Sequence, residues 1–455
     1  MTAPSSLKDK VREAINAQRT EFTQLAHEVH EHPQLAFEEN QAATILAKFL
    51  EEKGFAVRRG ICGLPTAFVA STGSGPLHVA FCAEYDALPP SCLYDRSKPP
   101  ELTEVWLVPD RHDLPLRHAC GHNLISGASV AAATGLRGVA DEAGLTVSVF
   151  GTPGEEFIGL PELPAGVRGP GKAVLFEAGA FKGVHAILMV HPFPTPFGVV
   201  IPSKAAVRQR ASFSHSTLAG HSLGTSELRA LEEALRKAAL SLRLIPALFV
   251  AKTEGEEGSG AQVDFFWLGA SLNEANGARD AVRRCFEEAA SSAGASVTIS
   301  DFLPFPEMRH DPVLTAAYRK NAEVLGRIRG RDERIQREIR ELFDNPKVPG
   351  WVRVVRRLFP SLVTPPGLFM NKFPIEIVYG TDLANASHAI PAIHPFMGIG
   401  GEAGAHSVEF TAQADADEAY DAMIDGGVAL AWTAVDAATS PALREYLTKK
   451  TTKSS

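Results

Sequence analysis

Cysteine thiolate and imidazole are the strongest protein ligands for borderline-soft divalent metals. This chain places one cysteine and two histidines within five residues, in Arg117-His118-Ala119-Cys120-Gly121-His122-Asn123. A Cys-x-His pair supplies two ligands from a single turn. Alone the motif is weak, because a structural cysteine beside ordinary histidines is spelled the same way. Its weight comes from other residues placed alike. Gly151-Thr152-Pro153-Gly154-Glu155-Glu156 closes a β-branched apolar run. Adjacent residues at a strand end point to different sides, so one glutamate can hold an ion while its neighbour faces the reacting atoms. That division of labour suits metal-assisted hydrolysis, in which a free carboxylate takes a proton from activated water. Met189-Val190-His191-Pro192 ends another run in a histidine, and Ala83-Glu84-Tyr85-Asp86 ends a third in two carboxylates. His406 follows the glycine-rich stretch 398–404. Without a Lys-Ser/Thr pair that stretch does not read as a phosphate cradle, and it fits close backbone approach beside His406.

The elements that must position these groups are legible. Residues 77–82, 145–150, 186–190 and 374–379 are short apolar runs, as expected of strands buried in a sheet. In an open α/β sheet, ligands bind beyond the carboxyl ends of the strands. Cys120, His122, Glu156, His191 and His406 then fall at strand or loop ends of one sheet. Five N, O and S ligands exceed the needs of one tetrahedral ion; they fit two ions that share a bridging ligand, with water between them. Residues 7–54 read as helical, with apolar residues at 3–4 spacing over 21–32 and 40–53. Pro33 breaks the helix between them. A long helix is expected over 415–438. The Pro-rich stretch 89–115 reads as an irregular loop near the site, because it leads directly to Cys120.

The composition sets bounds. The 455 residues are 45% hydrophobic and 22% charged, which is ordinary for soluble globular proteins. A net charge of −8 gives no basic footprint for nucleic acid. No apolar run reaches the ~20 residues of a membrane span, and the first dozen residues lack the apolar core of a signal peptide. Five cysteines without framework spacing point to a reducing cytoplasm.

With these motifs assembled, the chain resembles the dinuclear-metal amidohydrolases and peptidases of the aminoacylase–carboxypeptidase kind. Within them it is most similar to the hippurate hydrolase, auxin-conjugate hydrolase and aminobenzoyl-glutamate hydrolase branch. The matching stretches are 30–39, 83–89, 118–123, 151–156, 189–192, 380–395 and 415–437. The resemblance implies a mostly parallel α/β catalytic domain, residues 1–203 and 307–455, interrupted by an α+β lid and dimerisation domain, residues 204–306. It implies that Cys120 bridges two divalent ions, zinc first and manganese or cobalt open. His122, Glu156, His191 and His406 would complete the ligand set. Glu155 would be the general base, and Asp86 would orient a ligand from behind. It also implies a lid histidine that steadies the oxyanion. His221 is favoured for that role and His215 is the alternative. His388 and His394, in Ser387-His388-Ala389-Ile390-Pro391-Ala392-Ile393-His394, match a subgroup signature and are candidates for substrate contact.

Within 204–306 the strand patterns at 207–213, 262–268 and 296–299 and the helical patterns at 227–240 and 273–293 fit such a lid. Arg208 and Arg210 are candidate partners for a substrate carboxylate, with exposed arginines on a lid strand as the blander reading. The proline usual after the lid histidine is missing. The chain also inserts residues 90–117, and a charged then Pro-rich stretch between Leu325 and Lys372. Such insertions reshape a pocket rather than its chemistry. The expected activity is hydrolysis of an amide bond in a small N-acyl amino acid, dipeptide-like or aryl amide, by a cytoplasmic homodimer. Deamination of an aromatic amine, aminopeptidase action or a silent binding homologue are the rival readings.

Overall fold

The computed structural model describes residues 6–89, 105–108, 115–156, 163–195, 197–198, 200, 203–215, 246–252, 261–292, 294–325, 380–401 and 403–452. The expected helix 227–240, the strand 374–379, the charged then Pro-rich stretch between Leu325 and Lys372 and His221 lie outside them. Among the described residues no helix is long and apolar enough to cross a membrane.

A six-stranded sheet carries the candidate residues. Its order is Ala56–Arg59, Phe68–Thr72, Leu145–Gly151, Leu77–Ala83, Ala186–Leu188, Ala392–Ile393. The last four are parallel neighbours, and the first two extend the sheet antiparallel. The expectation of a mostly parallel sheet flanked by helices therefore holds. Both faces are buried, which is why its strands read as continuous apolar runs. Along Leu77–Ala83, Val79 and Phe81 join one apolar cluster while Ala80 and Cys82 join another, as a period of two dictates.

Helix His122–Arg137 lies in the core, with every residue from His122 to Leu136 buried. A helix this apolar all round can only be an interior one. It packs against the C-terminal helix Asp417–Thr439, close to the expected 415–438. The approach is tight: a Cβ at Gly127 would come within 2.2 Å of Met423 Sδ.

The second sheet has the order Ala295–Asp301, Ala205–His215, Ala261–Gly269, Pro246–Lys252, Val105–Val108. Four strands are antiparallel. Helices Leu272–Gly277 and Arg279–Ser292 contribute Ala275, Val282 and Phe286 to a core with Val207, Phe213 and Trp267. The helical pattern over 273–293 is thus two helices. Residues 105–108 belong to the stretch expected to be an irregular loop near the site. Instead they form an edge strand, parallel to Pro246–Lys252. Val-Trp-Leu-Val suits a strand, but four residues inside a Pro-rich insertion leave too short a pattern to read.

Candidate functional site

Each candidate side chain arrives from a defined element. Leu77–Ala83 delivers Glu84 and Asp86. Leu145–Gly151 delivers Glu155 and Glu156 through a turn at Gly154, where φ is +65°. His191 opens the short strand His191–Phe193, and His122 opens the core helix. Gly121 makes that start feasible. Its φ of +73° is left-handed, and a Cβ there would lie 2.5 Å from Pro192 Cγ, so the Cys120-Gly121-His122 turn packs directly on the His191-Pro192 segment. His406, also at positive φ, donates its backbone N–H to the Ala119 carbonyl at 2.7 Å. Three ligand-bearing segments are thereby clamped together.

The ligand atoms of Cys120, His122 and His191 lie within 4.8 Å of one another, and so do those of Cys120, Glu156 and His406. Cys120 belongs to both groups. Its Sγ is 3.3 Å from His191 Nε2, and His406 Nε2 is 2.7 Å from Glu156 Oε1. Asp86 stands behind both groups. Its Oδ1 is 2.8 Å from His122 Nδ1, and its Oδ2 accepts the Glu156 backbone N–H at 2.7 Å. A carboxylate on Nδ1 fixes the proton there and turns the Nε2 lone pair forward. That Nε2 is buried without a hydrogen-bond partner. An orphaned buried imidazole nitrogen amid thiol, imidazole and carboxylate donors fits a divalent metal centre.

The electrostatics couple acids to imidazoles: burial lowers His122, His191 and His406, but Asp86, Cys120 and Glu156 respectively outweigh it and raise them. Burial pushes the Cys120 thiol up, as does the charge of Glu156, but the charges of His191 and His406 and the contact with His122 outweigh them and bring it down to about 6. Burial likewise raises Glu156, yet the charge and hydrogen bond of His406 hold it at about 2. Thiolate and carboxylate are the forms that bind metal. Glu155 goes the other way: burial, then the charges of Glu84 and Glu156, lift it well above the usual carboxylate range. Its Oε2 is 3.9 Å from His122 Nε2.

Sequence reasoning assigned no role to the layer beneath. Lys172, fully buried, pairs with Glu84 and Asp382, and its backbone N–H donates to Asp382 Oδ2 at 2.6 Å. Glu84 reaches His122 Nε2 at 3.4 Å. Glu84 and Asp382 carried the same strand-end signal as Asp86. Lys172 carried none. Glu39, also buried, accepts from the Gly154 N–H at 2.8 Å and from Thr66 at 2.9 Å, bracing the turn before Glu155.

The remaining candidates divide. His394 is buried with its ring centroid 5.5 Å from that of His191. His388 donates from Nε2 to the Glu307 carbonyl at 2.8 Å, so that nitrogen is engaged in structure. His215 ends the strand Ala205–His215 of the second sheet, its backbone opposite Ala295. Arg208 and Arg210 are not exposed as expected. Both are buried against the Phe302 ring, at 4.4 and 5.6 Å, where a guanidinium stacks well.

No protein-family model matches the chain. It is 32% identical over 220 residues to a component chain of the p-aminobenzoyl-glutamate hydrolase of Escherichia coli, a match spanning 48% of this chain and 41% of that protein. It is 28% identical over 474 residues to the Xaa-Arg dipeptidase of Mus musculus, covering 98% of this chain and 92% of that one. Among solved structures, a dinuclear metal-binding peptidase from Bacillus subtilis aligns with a TM-score of 0.55 at 19% identity, covering 93% of this chain and 99% of that one. The aminobenzoyl-glutamate utilization protein of Klebsiella pneumoniae aligns at 0.54 and 14%, covering 95% and 99%. At those identities the structural likeness speaks for the fold alone.

Proposed function

We propose, on the chain's similarity to a p-aminobenzoyl-glutamate hydrolase component and a Xaa-Arg dipeptidase, that it cleaves an amide bond in a small N-acyl amino acid, dipeptide-like or aryl amide substrate. One observation carries the reading: two ligand groups share the single thiol of Cys120. Cys120, His122 and His191 would hold one divalent ion, and Cys120, Glu156 and His406 the other. Mixed sulfur, nitrogen and oxygen donors favour zinc. Such ions, when bound, polarise a carbonyl and acidify water.

The chain's own residues supply the rest. Asp86 keeps His122 in one tautomer and orientation. Glu155 takes the proton from the attacking water and returns it to the leaving nitrogen, a task its raised proton affinity suits. The lid histidine, His221 or else His215, steadies the developing oxyanion, and the lid sheet joins two copies into a homodimer. The names of the two relatives point to substrates that release an amino acid, so p-aminobenzoyl-glutamate and Xaa-Arg dipeptides belong in the first substrate panel.

The test is amine release from N-acyl amino acids, dipeptides and aryl amides by protein stripped of metal and reloaded with Zn²⁺, Mn²⁺ or Co²⁺. Metal-dependent release is expected, falling about 10²–10⁴-fold in Glu155→Gln, the scale of lost general acid–base catalysis. Release that is indifferent to metal, or a Glu155→Gln variant as fast as the parent, would contradict the reading.

A further inference from the structure

A second set of donors lies outside the cluster around Cys120. His27, His30 and Glu31 stand on one helix, Arg19–Glu31, at spacings of three and four that put them on a common face. Asp415 meets them from the segment between helices Val408–Gln413 and Asp417–Thr439. His27 Nδ1 is 2.8 Å from Asp415 Oδ1. His30 Nδ1 is 3.8 Å from the same oxygen and 3.7 Å from Glu31 Oε1. Ligand atoms of His27, Glu31 and Asp415 all lie within 4.8 Å of one another. Tyr420 donates its hydroxyl to Asp415 Oδ1 and stands 3.5 Å from His27 Nδ1.

The tautomer of His30 decides what this cluster asks for. Its Nε2 faces the Thr411 carbonyl at 3.2 Å, and a carbonyl only accepts, so Nε2 carries the proton. In the neutral ring Nδ1 is then a lone pair. That Nδ1 is buried without a hydrogen-bond partner, and its neighbours within 4 Å are two carboxylates. An acceptor surrounded by acceptors leaves a place for a cation. An imidazole whose far nitrogen donates to a backbone carbonyl is also how metal-binding histidines are oriented. Tetrahedral bonds of ~2.0–2.1 Å place ligand atoms roughly 3.4 Å apart. The distances of 3.7 and 3.8 Å close to that value with small side-chain motion, and the His27–Asp415 contact opens to it.

We propose that His27, Glu31 and Asp415, with the His30 lone pair beside the two carboxylates, bind a further divalent ion of the zinc class. This site is thiol-free and goes beyond the amidohydrolase reading. It ties helix Arg19–Glu31 to the segment leading into the C-terminal helix. Asp415 is nine residues after His406, so the ion braces the stretch that carries that ligand.

The experiment is elemental analysis of full-length protein equilibrated with micromolar Zn²⁺ and desalted, for the parent, His27→Gln and Asp415→Asn. His27 is half-exposed, so its replacement leaves the core untouched. The parent is expected to hold one more ion per chain than either variant, and a crystal of the parent to show zinc anomalous scattering between His27 and Asp415. Equal ion counts in parent and His27→Gln, or no anomalous peak at that position, would overturn the site. Because the comparison is between parent and variant, the result stands apart from whether the centre at Cys120 turns over any amide.

Discussion

The clusters around Cys120 and Asp415 use overlapping donor types, yet the layer behind the first is buried while the second, like His406 at 29% exposure, borders solvent. His122, Asp86, Glu84 and Lys172 are each 1% exposed or less, whereas the side chains of His27 and Asp415 are 44% and 28% exposed. Burial changes what each partner is worth. In the interior an unpaired charge cannot be rescued by water; at the surface it can, and ion pairs there contribute little. The interior therefore holds His122 against Asp86 and Glu84 against Lys172, whereas the outer cluster meets solvent.

The sharpest way to break the contrast is Lys172→Met. It would leave Glu84 and Asp382 buried without their cation, and the expected loss is about 3–5 kcal/mol, measured by denaturant unfolding of metal-free protein. A loss under 1 kcal/mol would show that water reaches this layer after all. Gly121→Ala should cost about 1–3 kcal/mol, since the left-handed turn resists a Cβ and Pro192 occupies its space. The same unfolding curves read it.

Asp311 is buried like the inner layer but is paired with the half-exposed Lys450. It caps helix Pro312–Val324 through the Val313 and Leu314 N–H groups, and it accepts from Tyr446 and from Lys450 at 2.8 Å. Burial raises its carboxyl, but the Lys450 hydrogen bond and its other donors win, and it titrates below the ordinary 3.8. A lowered carboxylate stabilises the fold above its unfolded value, and that contribution is lost as pH falls through the folded one. Asp311→Ala should thus cost about 1–2 kcal/mol at neutral pH, with the gap to the parent closing below about pH 4. Smallest of all, His27→Gln in chelated protein should change stability by less than about 1 kcal/mol. A larger value would place the outer cluster in the same energetic class as the inner one.

How much of this was legible in the sequence follows from the same physics. The Cys-x-His turn was readable because it opens a periodic helix, and the paired glutamates and His191 because each follows an apolar run, and the sheet fixes where such ends point. Asp86 was read as a partner behind a ligand, and its carboxylate is in hydrogen-bond contact with His122. Lys172 was not readable. It sits at the start of the short helix Gly171–Glu177, where a lysine ordinarily reaches water, and only the tertiary meeting with Glu84 and Asp382 buries it. The edge strand Ala56–Arg59 and its neighbour Phe68–Thr72 also escaped notice, the first because its residues are mostly exposed and so carry no apolar run. Arg208 and Arg210 misled for the converse reason: stacking on Phe302 buries guanidinium groups that a strand pattern assigns to solvent.

The central claim is that one thiolate serves two ions, and cobalt tests it directly. Thiolate-to-cobalt charge-transfer absorption reports sulfur ligation alone, so a thiol-free site is silent in it. Metal-free His27→Gln protein, which lacks the outer site, would be titrated with Co²⁺ beside the same protein carrying Cys120→Ser. Two shared positions predict absorption that rises through two equivalents and vanishes in Cys120→Ser. A rise that stops after one equivalent, or that survives loss of Cys120, would contradict the account.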